Sequence, residues 1–161
     1  MINRKTTEGF SLIELLIVVT IIGIISAIAI PNLMSTRRAA NEGSAQSSLR
    51  TINSAEAAYQ VTAGGGLFGD RTALHNQSLI DTVLNTGTKS GYLFGITPTA
   101  AGTTPIQYFA TATPVTTSGV GATGTRRFGI SEDGVLHGDM LNSLAVYADE
   151  NAVRAASATG N

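Results

Sequence analysis

Cysteine is absent from the 161 residues. That excludes a disulfide framework, a thiolate metal site and a thiol nucleophile. Tryptophan is absent as well, histidine occurs twice, and charged residues make up only 13% of the chain, about half the usual share. Ten Lys and Arg nearly balance eleven Asp and Glu, leaving a formal net charge of −1. A chain without a basic surplus has little with which to neutralise phosphates, so no nucleic-acid partner is inferred. Neither G-x-S-x-G nor H-E-x-x-H occurs. His75 and His137 are far apart in sequence, only His137 has a nearby carboxylate (Asp139), and both read as surface residues. With no catalytic constellation in view, an enzyme is not expected. The length suits one domain, or two small ones at most.

What the chain does have is a long apolar run at its front. Mean hydropathy is +0.18, and the excess is local. Leu15 to Ile30 reads LLIVVTIIGIISAIAI without a charge, and Phe10, Leu12 and Ile13 extend the run across a single break at Glu14. About 20 helical residues cross a hydrocarbon core of ~30 Å. A core helix of a soluble protein would show a polar face at helical spacing; this stretch shows none, so it reads as membrane-embedded. Arg4 and Lys5 before it and Ala27-Ile28-Ala29 within it also fit a cleaved secretory signal, although Glu14 interrupts the apolar region. A plain signal anchor is a further alternative. Basic residues flank both ends, Arg4 and Lys5 before and Arg37 and Arg38 after, and so do not decide orientation. Either alternative would leave a membrane-anchored or secreted binding protein or enzyme.

The segment Glu8-Gly9-Phe10-Ser11-Leu12-Ile13-Glu14-Leu15 resembles the signal of type IV pilins and type II secretion pseudopilins. In that family a short charged leader ends in Gly and is followed by Phe, Thr or Ser, Leu, Ile, Glu and an apolar helix. Gly23 and Pro31 stand where the family has helix-weakening residues. The resemblance implies an α+β fold: a long N-terminal helix, its first half transmembrane, packed on a small antiparallel sheet. It implies a leader over 1–9, a transmembrane and polymerisation helix over 10–34, an amphipathic continuation over 35–62 and a β-rich head over 63–161. It implies cleavage of the Gly9–Phe10 bond by a prepilin peptidase and methylation of the new Phe10 amine. The partners implied are other pilins or pseudopilins, an inner-membrane platform protein and an assembly ATPase. The subunit would begin as a single-pass inner-membrane precursor and end in an extracellular pilus or a periplasmic pseudopilus. The Gly-Tyr and hairpin features lean toward a pseudopilin head, and the lack of cysteine departs from the many pilins that close a C-terminal loop by a disulfide.

Glu14 carries two readings. A carboxylate inside an apolar helix costs about 3 kcal/mol on insertion scales and usually marks function. In the filament reading it pairs with the Phe10 amine of a neighbouring subunit and sets register. In the local reading Ser11-x-x-Glu14 is a capping box, with Glu14 reaching back to the Ser11 N–H. The two can hold at different stages. Pro31 lacks an N–H, and Gly23 weakens a helix by roughly 1 kcal/mol relative to Ala. They bracket a stretch that the resemblance lets unwind on assembly and that otherwise reads as an ordinary proline kink. Gly9 has an equally plain alternative as a flexible tether.

Beyond Pro31, Ala45, Leu49, Ile52, Ala55 and Tyr59 recur at spacings of three and four, the stripe of an amphipathic helix running to about Gln60. Arg38, Asn41, Glu42, Arg50, Asn53 and Ser54 fill its other faces, with Arg38 and Glu42 at pairing distance. A helix of about 50 residues spans ~75 Å. Ala63-Gly64-Gly65-Gly66 ends it. Gly64 to Gly69 spells G-x-G-x-x-G, but after a helix rather than a strand, which is the wrong context for a dinucleotide. Short helical patches are expected around 72–75 and 79–84. Alternation over 92–97 and 106–113, the stretch 126–131 and the return 135–137 predict three or four strands, with Glu132-Asp133-Gly134 as a hairpin turn. Arg126 and Arg127, adjacent in a strand, face opposite ways. Glu132, Asp133 and Asp139 offer the oxygens that calcium takes, as in the major pseudopilins. The turn already accounts for Asp133, however, and no metal is assigned. In the tail, Leu141, Leu144 and Tyr147 are expected to dock on the sheet, and residues 155–161 to fray.

Overall fold

The computed structural model describes residues 9–140 and 147–159. The chain divides into two units, Met1–Thr36 and Arg37–Asn161. Helix α1, Leu12–Thr62, begins in the first and ends in the second, and it is continuous through Gly23 and Pro31. In the first unit every large apolar side chain from Leu12 to Leu33 is exposed. The helix is long and apolar enough to cross a membrane. Thr20, the lone polar residue between Leu15 and Ile25, donates its hydroxyl to the Leu16 carbonyl at 2.7 Å. The apolar surface is therefore broken by no unsatisfied donor there.

In the second unit α1 becomes amphipathic, and Ala45, Leu49, Ile52 and Ala55 are buried as their spacing predicts. Tyr59 packs against the same core from a half-buried position. Fully burying Leu49 or Ile52 is worth roughly 1.5–3 kcal/mol each. The helix ends where its orphan carbonyls are taken up: Gly64 and Ala63 donate to the Tyr59 carbonyl (2.7 and 3.0 Å) and Gly66 donates to Gln60 (3.0 Å). Gly65 and Gly66 adopt φ of +57° and +94°, a region open to glycine at little cost. Two short helices follow, α2 Arg71–Asn76 and α3 Thr82–Thr86, near the expected patches. Asp70 and Asp81 cap them by accepting from the Ala73 and Leu84 N–H groups.

The sheet has five antiparallel strands in sequential order: β1 Thr88–Lys89, β2 Tyr92–Pro98, β3 Tyr108–Pro114, β4 Arg126–Ser131 and β5 Leu136–Met140. The fold is α+β, as expected. The strand beyond the expected three or four is β1, whose two residues are too few to show alternation. Pairing of Phe94 with Ala112, and of Ala112 with Phe128, aligns one face of the sheet. That face forms one core with the α1 stripe through Tyr92, Phe94, Tyr108, Ala110, Phe128 and Ile130.

The opposite face carries a helix that the sequence did not announce, α4 Glu150–Ala155, capped by Asp149. Tyr147, Val153 and Ala156 are buried there with Phe109 packed against them. Tyr147 docks as expected; Leu141 and Leu144 lie outside the described residues. The approach is close: a Cβ on Gly129 would stand 2.8 Å from Val153 Cγ1. The expectation of a frayed tail fails for residues 157–159. Gly138 donates to the Ser157 carbonyl (2.9 Å) and Thr159 to that of Leu136 (2.8 Å), and His137 bridges to Ala158. The tail thus lies along the outer edge of β5. On the other side, Arg71 Nη1 donates to the Phe94 carbonyl at 3.0 Å, beside the short β1.

Since the second unit holds its own core, deletion of residues 1–34 is expected to leave a soluble monomer with a cooperative thermal transition. Aggregation of that fragment, or a melt without cooperativity, would show that the head needs the apolar segment to fold.

Candidate functional site

The signal segment begins with accessible backbone. A side chain at Gly9 would meet nothing within 4 Å, and Phe10 is 80% exposed. One turn on, the Ser11 N–H donates to Glu14 Oε2 at 2.9 Å, and Leu15 N–H donates to the Ser11 carbonyl. This is the Glu14 arm of a capping box, satisfying one of the orphan donors of the first turn. With residues 1–9 attached, the nitrogen of Phe10 is an amide and carries no charge. The carboxylate therefore serves its own helix. Gly23 and Pro31 lie in the same helix, farther along the exposed apolar stretch.

In the head, polar residues of α1 do more than face water. Glu42 Oε1 accepts from both the N–H and the hydroxyl of Thr125 (2.8 and 2.9 Å). Asn41 donates to the Thr123 carbonyl (2.9 Å), Arg38 reaches the Gly119 carbonyl (3.4 Å), and Asn53 accepts the Tyr108 hydroxyl. The expected Arg38–Glu42 pair does not form, because the connection between β3 and β4 lies over this face and presents backbone groups that need partners. Arg126 and Arg127 do face opposite ways: one guanidinium lies 5.4 Å from the Phe128 ring, the other 4.1 Å from the Tyr147 ring.

His137 is buried, contrary to expectation, and its Nδ1 lies 2.8 Å from the Ala156 carbonyl. The C-terminal segment covers it. His75 is half-buried, with Nδ1 3.3 Å from the Ile80 carbonyl. The three carboxylates weighed for calcium are drawn to two different arginines. Arg154 contacts Glu132 (2.6 Å), Asp133 (3.8 Å) and Glu150 (2.5 Å). Asp139 contacts Arg127 at 3.3 Å and accepts from the Tyr147 hydroxyl. Among the described residues no group of three or more His, Asp or Glu side chains is arranged to hold a metal ion. Gln107 donates to both Glu132 and Glu150 (3.3 and 3.1 Å). Burial, and then the like charge of Glu132, raise the Glu150 carboxyl above its ordinary range against the pull of Arg154. Burial pushes Tyr147 up to about 12, and the Asp139 charge adds to this.

Glu56 escaped the sequence reading. It lies on the buried stripe with no exposure, and Oε2 accepts from the Gly69 N–H at 2.9 Å. Burial outweighs that bond, the Asp70 charge adds to the effect, and the carboxyl is pushed up to about 7. Its position four residues after Ile52 and seven after Leu49 was the available signal.

Residues 4–30 match the family described as the prokaryotic N-terminal methylation motif. The chain is similar to the type IV wide pilus major component PilA4 of Thermus thermophilus, 40% identical over 57 residues, which cover 35% of this chain and 44% of that protein. It is also similar to the type IV major pilin protein PilA of Myxococcus xanthus, 43% identical over 52 residues, 32% of this chain and 24% of that protein. Each match spans less than half of the relative's length. No solved structure matches the chain.

Replacing Arg154 by Met leaves Glu132 and Glu150 facing each other across Gln107. The expected cost near pH 7.5 is about 1 kcal/mol, a few degrees in Tm. The loss should shrink toward pH 5 as the pair takes up a proton. Thermal melts of wild type and variant at the two pH values would check it; a deficit equal at both would assign the loss to packing.

Proposed function

We propose that the chain is a structural subunit of a type IV pilus-like filament, anchored in the inner membrane by residues 10–34 before it polymerises through them. The observation that carries this is the methylation motif over residues 4–30, set on a helix whose apolar side chains from Leu12 to Leu33 are all exposed. Such a surface must be buried in lipid or against other helices. The relatives bear the names of pilus components, which supports a structural role over catalysis.

In this reading a prepilin peptidase cuts after Gly9, and the new amine of Phe10 is methylated. Cleavage turns an amide into an ammonium beside a helix whose nearest acid is Glu14. The carboxylate then changes partner, from the Ser11 N–H of its own helix to the Phe10 ammonium of a neighbour. A buried pair of this kind fixes register more than it adds stability. Gly23 and Pro31 let the stretch between them unwind as the subunit leaves the bilayer. A platform protein and an ATPase drive that step, and the head stays on the outside.

Mass spectrometry of the mature N-terminal peptide is expected to show N-methylated Phe10. A start at Ile30, after Ala27-Ile28-Ala29, would overturn the reading in favour of ordinary secretion. Glu14→Gln separates the two uses of the carboxylate. As a cap, Gln serves nearly as well. As a partner of a buried ammonium it fails, at about 3–5 kcal/mol, or two to three and a half powers of ten in subunit addition. Normal cleavage and normal membrane levels with sharply fewer sheared filaments are expected. A wild-type filament yield would leave Glu14 as a cap alone.

A further inference from the structure

Glu56 joins two parts of the head that the sequence separates. It projects from the last third of α1 into the core, and its hydrogen bond from the Gly69 N–H ties the helix to the residue just before the Asp70 cap of α2. Its other oxygen, Oε1, is buried without a hydrogen-bond partner. An ionised carboxylate normally recruits several donors when buried; here one backbone N–H reaches one of the two oxygens. The surroundings offer little compensation. Asp70, which caps α2, adds a like charge. On β3, Tyr108 gives its hydroxyl to Asn53 rather than to Glu56, and burial, then the charges of Glu56, Glu132 and Asp133, hold that phenol protonated. Tyr59, a turn farther along α1, packs by its ring on the same core, and Arg71 turns to the Phe94 carbonyl.

We propose that Glu56 is a proton-operated latch: neutral, it seats residues 64–70 against the end of α1, and ionised, it favours their release. A neutral carboxyl costs less in this site than a charged one. Opening the segment returns Glu56 to water, where it ionises as an ordinary glutamate does. The closed form therefore holds a proton that the open form gives up. Linkage then fixes the sign: closure is strongest below pH 4.5 and weakens as pH rises toward 7. Above that the carboxyl is ionised in both forms and the dependence levels off. The limiting slope is tenfold per pH unit in the opening equilibrium. The latch does not rest on the filament reading, since it lies wholly in the head.

Hydrogen exchange followed by mass spectrometry, on the full chain in detergent micelles and corrected for the intrinsic pH dependence of exchange, reads this directly. Protection of the peptide covering 64–70 is expected to fall at least tenfold between pH 5 and pH 7 and to level off above pH 8. In Glu56→Gln, which keeps an acceptor for Gly69 and carries no charge, protection should be flat across that range. Flat protection in the wild type, or an unchanged slope in the variant, would overturn the latch. Should the variant fail to fold, the assigned side-chain carboxyl resonance of Glu56 in the wild type decides instead. Titration near 7 together with the fall in wild-type protection supports the latch, and titration at the ordinary glutamate position overturns it.

Discussion

One helix works in two environments, and the rest of the structure follows from that constraint. From Leu12 to Leu33 its apolar side chains point in every direction and the chain itself covers none of them. From Ala45 onward the same helix keeps a single buried stripe, where Leu49 and Ile52 seat the sheet. The sheet has one face already spoken for, and its other face is closed by α4. The front of the helix contributes no buried side chain to that core, and its apolar surface stays exposed.

The long-period features were legible in the residues. Spacings of three and four between Ala45 and Tyr59 marked the buried face, strand alternation placed β2 and β3, and Asp133-Gly134 marked the turn in which Asp133 Oδ1 accepts from Ser131 and Val135. What escaped was whatever depends on a partner distant in sequence. Helix α4 is six residues long, under two turns, too short for a periodic pattern. His137 is buried by a carbonyl nineteen residues away. Glu42 looks like half of a surface pair until Thr125 arrives from the other end of the sheet.

The candidate site divides in the same way. Glu14 stood out because a charge in an apolar run is conspicuous in one dimension. Glu56 did not, because a glutamate between alanines in an amphipathic helix looks ordinary until the helix is wound and its stripe drawn. Both acids stand on one helix, at its beginning and near its end, and each accepts from a backbone N–H, Ser11 for Glu14 and Gly69 for Glu56. At the first the surroundings are open; at the second they are closed. That difference, more than the residue type, decides what each carboxylate does.

The treatment of the sheet edges has a consequence for how copies of this chain can meet. Unpaired strand edges invite other copies to add on, giving aggregates that grow by backbone hydrogen bonding. Here β5 is sheathed by residues 157–159. At the far side β1 is only two residues long, includes a lysine and is flanked by the Arg71–Phe94 contact. Blunt edges on the head keep backbone pairing between heads from competing with whatever packs on the exposed apolar helix.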